Sequence, residues 1–169
     1  MTTKKNNVFG IINYILNFVY NKETDLFQTD EQTDETFDYL DFKHLKLQKI
    51  LYFLFGFYYG KTKQELFDAE FIAYRYGPII KPVYDKIKNT YVDEPLKNLE
   101  KDLFAKYSME DLEMDRTVVN EILEKLLNFS TWRLVELSHL DGGPWDETKQ
   151  SEVIDKAKIL KYFDDAFID

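Results

Sequence analysis

Residues 50–59 read Ile50-Leu51-Tyr52-Phe53-Leu54-Phe55-Gly56-Phe57-Tyr58-Tyr59, a run without one charged side chain. A helix that is apolar on every face has no side to offer water, so it must sit centrally with other helices packed around it. The run is too short to cross a membrane, which takes roughly twenty apolar residues. It continues back through Leu45, Lys46, Leu47, Gln48 and Lys49, so the predicted organising helix covers residues 45–59. Gly56 and Gly60, four apart, share a face and allow close approach of a neighbour. Gly60 could equally end the helix as a left-handed cap.

The rest of the chain can supply a core for that helix. Its 169 residues suit one domain, 1–169, and include 14 Phe and 12 Tyr to bury. Six Gly and four Pro are too few for a β-sandwich dense in tight turns. With no Cys there are no disulfides, thiolate zinc sites or cysteine nucleophile, which accords with a reducing cytoplasm. The net charge of −9 opposes any role that rests on neutralising phosphates, so nucleic acid is a disfavoured partner.

Near the N-terminus, Val8, Ile11, Ile12, Ile15, Leu16 and Val19 repeat at helical spacing, with Gly10, Asn13, Asn17 and Asn21 on the other side. That polar stripe reads as an amphipathic helix packed on the central one, not as a signal segment. Residues 21–36 carry Glu23, Asp25, Asp30, Glu31, Asp34 and Glu35 against Lys22, and read as a solvated acidic loop. A functional alternative is an acidic lure for a basic partner. Beyond the central helix, Phe71-Ile72-Ala73-Tyr74-Arg75-Tyr76 favours a short extended element near 70–76, closed by a turn at Gly77-Pro78. Pro82 then starts a helix burying Val83 and Ile87.

Pro95 could begin a further helix with Leu96, Leu99, Leu103 and Phe104. Asp115 is a plausible cap for the stripe Val118, Val119, Ile122, Leu123, Leu126 and Leu127, and Ser130 for a helix facing inward with Leu134 and Leu137. After the turn 138–145, a final helix from about Ser151 presents Ile154, Ile159, Leu160, Phe163 and Phe167. The fold class is mainly α.

Three blocks then converge on a family. Lys46-Leu47-Gln48-Lys49-Ile50-Leu51-Tyr52-Phe53 is the first. Leu66-Phe67 with Tyr76-Gly77-Pro78-Ile79-Ile80 and Val83-Tyr84 is the second, and residues 134–137 with Ser138-His139 and Gly143-Pro144-Trp145 the third. In this order the chain resembles the Panacea domain, found in phage-associated proteins and SocA-like antitoxins, over residues 45–163. One departure is Lys43, where the family carries a capping Thr; Asp41 could cap instead. The resemblance implies an antitoxin that binds and neutralises a co-encoded toxin, without a cofactor.

Independent chemistry gives an enzyme little to work with. The only histidines, His44 and His139, lie far apart, and no phosphate-binding glycine loop or nucleophile elbow is present. His139 with Asp141 and Asp146 makes a weak metal set, so no catalytic, cofactor or metal residue is assigned. His139 reads instead as a ring that hydrogen-bonds backbone in the turn of Gly142, Gly143 and Pro144 and fixes Trp145. If Trp145 is buried, its loss should cost about 3–5 kcal/mol. Gly77 and Pro78 read as a conformational device. Candidate partner contacts are Arg75, Tyr76, Tyr84 and Trp145, with Lys46 and Lys49 on a basic edge shared with Lys43.

The expected activity is stoichiometric binding to a toxin, which an acidic chain would meet faster if the toxin is basic. An adaptor that delivers the toxin to a protease is an alternative. So is a regulator that binds its own promoter through Lys81, Lys86 and Lys88.

Overall fold

A computed structural model describes residues 5–21, 39–90 and 103–166. The acidic stretch 22–36, Pro95, Leu96, Leu99 and Phe167 lie outside them. The described elements are α1 (Val8–Asn21), α2 (Tyr39–Thr62), β1 (Ile72–Tyr74), β2 (Gly77–Ile79), α3 (Lys81–Thr90), α4 (Arg116–Leu127), α5 (Thr131–Ser138) and α6 (Lys156–Asp165). The fold is mainly α with a small antiparallel β element.

The central helix is α2. Leu47, Ile50, Leu51, Leu54 and Phe55 have no exposed surface and share one face, while Lys49 (0%), Tyr52 (1%) and Phe53 (5%) are buried on the others, so burial spans every side of the helix. It is longer than residues 45–59 at both ends. It is already helical at Tyr39, so Asp41 is not its cap. At the far end Gly60 stays helical, and the left-handed position falls to Lys63 (φ 61°), whose N–H bonds Tyr59 O at 2.8 Å. A single such bond from the first non-helical residue is a standard helix stop, although the residue there is usually glycine.

Helices α4, α5 and α6 lie against α2. Gly56 sets the approach of α6: a Cβ there would sit 2.2 Å from the Phe163 ring. Phe163 itself meets Tyr52 and Phe57 edge-on, at 5.5 and 5.1 Å between ring centroids. Three caps follow from side chains that accept orphan amides. Asp115 accepts from Val118, Ser130 from Arg133 and Asp155 from Ala157. The stripe on α4 buries Val119, Ile122, Leu123 and Leu126. In α5, Leu134 is buried while Leu137 is only half-buried, and Val135 takes the second inward position.

The apolar face of α1 joins the same core as α2. Its other side is not open to water. Asn13 is 4% exposed and donates to Tyr107 O at 2.8 Å, Asn17 donates to Asn13 O, and Ser108 O lies 2.9 Å from where a Gly10 Cβ would stand. Gly10, Asn13 and Asn17 of the polar stripe thus face residues 107–112, and the Asn13 amide serves that loop's backbone.

β1 and β2 form a hairpin in the register Ile72↔Ile79, Ala73↔Pro78, Tyr74↔Gly77. The expected turn at Gly77-Pro78 is displaced: Arg75 and Tyr76 make the two-residue turn, and Gly77-Pro78 opens the return strand. A third segment replaces the expected start of the last helix at Ser151. Ser151 N–H donates to Ala73 O (2.7 Å), Ala73 N–H to Glu152 O (2.9 Å) and Ile154 N–H to Phe71 O (2.7 Å). Ser151 and Glu152 both oppose Ala73, a bulge that uses the left-handed φ of 70° at Ser151. Ile154 is therefore buried from extended backbone, and α6 begins only at Lys156.

Candidate functional site

The three sequence blocks meet at the outer edge of the hairpin. Ala73 turns its backbone groups toward Ser151 and Glu152, so β1 faces β2 through its alternate residues. That leaves the backbone of Pro78 on β2, and of Ile80 just beyond it, pointing away from the sheet. Side chains of α2 take those groups. Lys49 Nζ donates to Pro78 O at 2.7 Å, Ile80 N–H donates to Gln48 Oε1 at 2.8 Å, and Gln48 Nε2 donates to Ile80 O at 3.2 Å. The Gln48 amide stands in for a peptide group of a neighbouring strand. Pro78 has no N–H to satisfy, so the edge is closed without remainder.

Gly77 is required twice. Its φ is +114°, and a Cβ would lie 2.5 Å from Ser138 Oγ and 2.6 Å from Lys49 Cε. Ser138, 4% exposed, donates its hydroxyl to Val135 O at 2.7 Å. Lys49 is 0% exposed, and burial pulls its ammonium down to a pKa of about 7. The expected basic edge therefore loses Lys49, because that side chain turns inward to the Pro78 carbonyl. Lys46 is half-buried. The side chain of Lys43 lies outside the described set.

The ring of His139 lies parallel to Trp145, 3.7 Å between centroids and 9° between planes. Its backbone partner is Tyr76, not the glycine turn expected from sequence. Burial lowers the His139 pKa first and the Lys49 charge lowers it further, against the opposing bond to Tyr76. Nε2 is buried with no hydrogen-bond partner. His139 is a neutral plate that fixes Trp145 by stacking, while the Trp145 indole N–H donates to Tyr74 O at 2.7 Å. Trp145 is half-buried, so the cost of its loss falls to about 3 kcal/mol or less. The turn beneath is held by Gly142 N–H to Asp146 Oδ2 (2.9 Å), Gly143 N–H to Leu140 O (3.0 Å) and Thr148 Oγ1–H to Pro144 O (2.7 Å).

In front of this joint lies a surface of rings and cations. Arg75 is exposed, with its guanidinium 5.3 Å from the Tyr76 ring centre. Tyr76 meets Trp132 edge-on at 5.9 Å, Tyr74 meets Tyr84 edge-on at 5.8 Å, and Lys88 sits 5.3 Å over Tyr84. Of the residues expected at a partner surface, Arg75, Tyr76, Tyr84 and Trp145 thus gather around the hairpin.

Sequence reasoning gave no site role to Trp132, Tyr74, Gln48 and Ser138, and placed Lys88 only in the promoter-binding alternative. Trp132 had a signal, a large amphipathic ring in the first turn of a short helix. Gln48 had none, because its partner is backbone. Among the described residues no group of three or more His, Cys, Asp or Glu could hold a metal ion, and no helix is long and apolar enough to cross a membrane.

A family model described as "Antitoxin SocA-like, Panacea domain" matches residues 47–146, more than half of the chain. No curated protein and no solved structure matches.

Proposed function

The chain belongs to the antitoxin SocA-like, Panacea domain family, and on that premise we propose that it neutralises a co-encoded toxin by direct protein–protein binding in the cytoplasm. One observation carries the reading. Residues 48–49, 77–80 and 138–145, remote in sequence, meet in one joint where Gln48, Lys49, Ser138 and Trp145 each hydrogen-bond to backbone, and it backs an aromatic surface. A rigid scaffold behind half-buried Tyr and Trp and an exposed Arg suits a binder, because such side chains carry much of the energy of protein interfaces. A non-catalytic role fits the same geometry. Lys49 and Ser138, the reactive groups here, are buried and hydrogen-bonded to carbonyls.

The test is growth rescue combined with co-purification. The adjacent gene is expressed alone and then with this protein. Toxicity relieved together with a stable complex supports direct neutralisation. Relief without a complex points to delivery of the toxin to a protease. A harmless neighbour that binds nothing removes the reading.

A further inference from the structure

We infer that the toxin docks on the ridge running from α3 across the hairpin tip to α5, and that it meets this ridge with an acidic surface. The inference rests on the toxin-binding reading above and adds to it the face used and the chemistry of the partner.

The ridge is continuous by contact. Lys88 lies over Tyr84, Tyr84 packs on Tyr74, and Tyr74 leads through the chain to Arg75, which covers Tyr76, which packs on Trp132. None of the four rings is fully buried. The backbone beneath them is pinned, since Trp145 holds Tyr74 O, His139 holds Tyr76, and Lys49 and Gln48 hold β2. A partner would lose little by ordering such a surface.

Charge identifies the occupant. The whole chain carries −9, yet the ridge presents Arg75 and Lys88. The acids of the described helix turns beside them are matched at home: Asp85 by Lys81 at 3.0 Å and Glu136 by Arg133 at 3.0 Å. The ridge is thus locally positive. At contact, local sign governs, because charges farther away than the Debye length of about 8 Å are screened. Carboxylates set among apolar groups are the matching surface on the toxin.

Nucleic acid fits less well. Stacking bases need open ring faces, whereas cations lie over Tyr84 and Tyr76, and the net charge repels a phosphate chain.

The experiment compares wild type with Arg75→Glu/Lys88→Glu, and with Lys125→Glu/Lys161→Glu, which changes total charge equally at exposed lysines on α4 and α6. Each is co-expressed with the neighbouring gene, and affinity is measured on the purified pair at low and high salt. The ridge variant should lose about tenfold or more in affinity and lose growth rescue, while melting like wild type. The control should retain both. Arg75→Gln/Lys88→Gln provides the milder version should the reversal fail to fold, and should fall between.

A ridge variant that binds and rescues like wild type overturns the docking face and leaves the antitoxin reading standing. Failure of wild type itself to bind or rescue sinks the antitoxin reading, and this inference with it. Tight, ridge-dependent binding of wild type to a promoter duplex, without toxin binding, reassigns the face to nucleic acid.

Discussion

Lys49 is the residue with the most unusual energetics. Its pKa is about 7 in the fold, against 10.5 for an ordinary lysine, and burial is the cause. Below pH 7 both folded and unfolded chains hold the proton. Between about 7 and 10 the unfolded chain holds a proton that the folded chain has released, so stability rises with pH, by at most about 1.4 kcal/mol per unit. Above 10 the buried Tyr52 acts oppositely, because burial pushes its pKa up and unfolding then releases its proton. Denaturant titrations from pH 6.5 to 9.5 should record the rise in wild type and a flatter profile in Lys49→Met. Two glycines separate strain from crowding. Gly77→Ala combines a positive φ with two collisions and should cost about 3 kcal/mol or more. Gly142, also at positive φ (77°), has open space around it, and its alanine variant should cost about 1 kcal/mol. Thermal melts of the pair give the comparison. Sequence identified Gly77 as special but left Lys49 on the surface, since a lysine normally keeps its head in water and only the folded chain brings Pro78 O within reach.

At the scale of elements, what the sequence revealed depends on whether a partner was local. The run 50–59, the apolar face of α1 and the caps Asp115, Ser130 and Asp155 belong to single helices, and composition or short spacing can reveal them, although the Asp155 cap was displaced by a wrong helix start. That start was misjudged because Ile154 fits a helical stripe and a strand equally well; pairing with Ala73 and Phe71, some eighty residues away in sequence, decided it. The contact between α2 and α6 offers a direct test. Gly56→Ala should destabilise by about 1–3 kcal/mol, because a methyl would meet the Phe163 ring. Gly56→Ala/Phe163→Leu should cost less than the two single changes added together. A double-mutant cycle by chemical denaturation measures that coupling; simple additivity would mean the helices separate freely.

For the whole molecule, the matched span 47–146 is not the folding unit. It omits α1, with Ile11, Ile12 and Ile15 almost wholly buried, and α6, with Ile159 and Phe163. It also omits Asn6, whose amide donates to Leu66 O (2.7 Å) and Glu113 O (2.9 Å) and accepts from Glu113 N–H (2.7 Å). A fragment of residues 47–146 should therefore lack cooperative unfolding and dispersed amide resonances, whereas the full chain should show both. The candidate surface was half legible: Arg75, Tyr76, Tyr84 and Trp145 are recognisable by type, but Trp132 joins them only because α5 folds back onto the hairpin.

The closed edge of β2 carries a consequence for how such a protein can diversify. Gln48 and Lys49 grip carbonyls and an amide, groups that nearly every residue possesses, so their hold is indifferent to the side chains at the hairpin tip. Positions 75 and 76 can change identity without loosening the mount beneath them. Selection can then exchange the tip while the framework stays fixed, much as a tool holder accepts different bits.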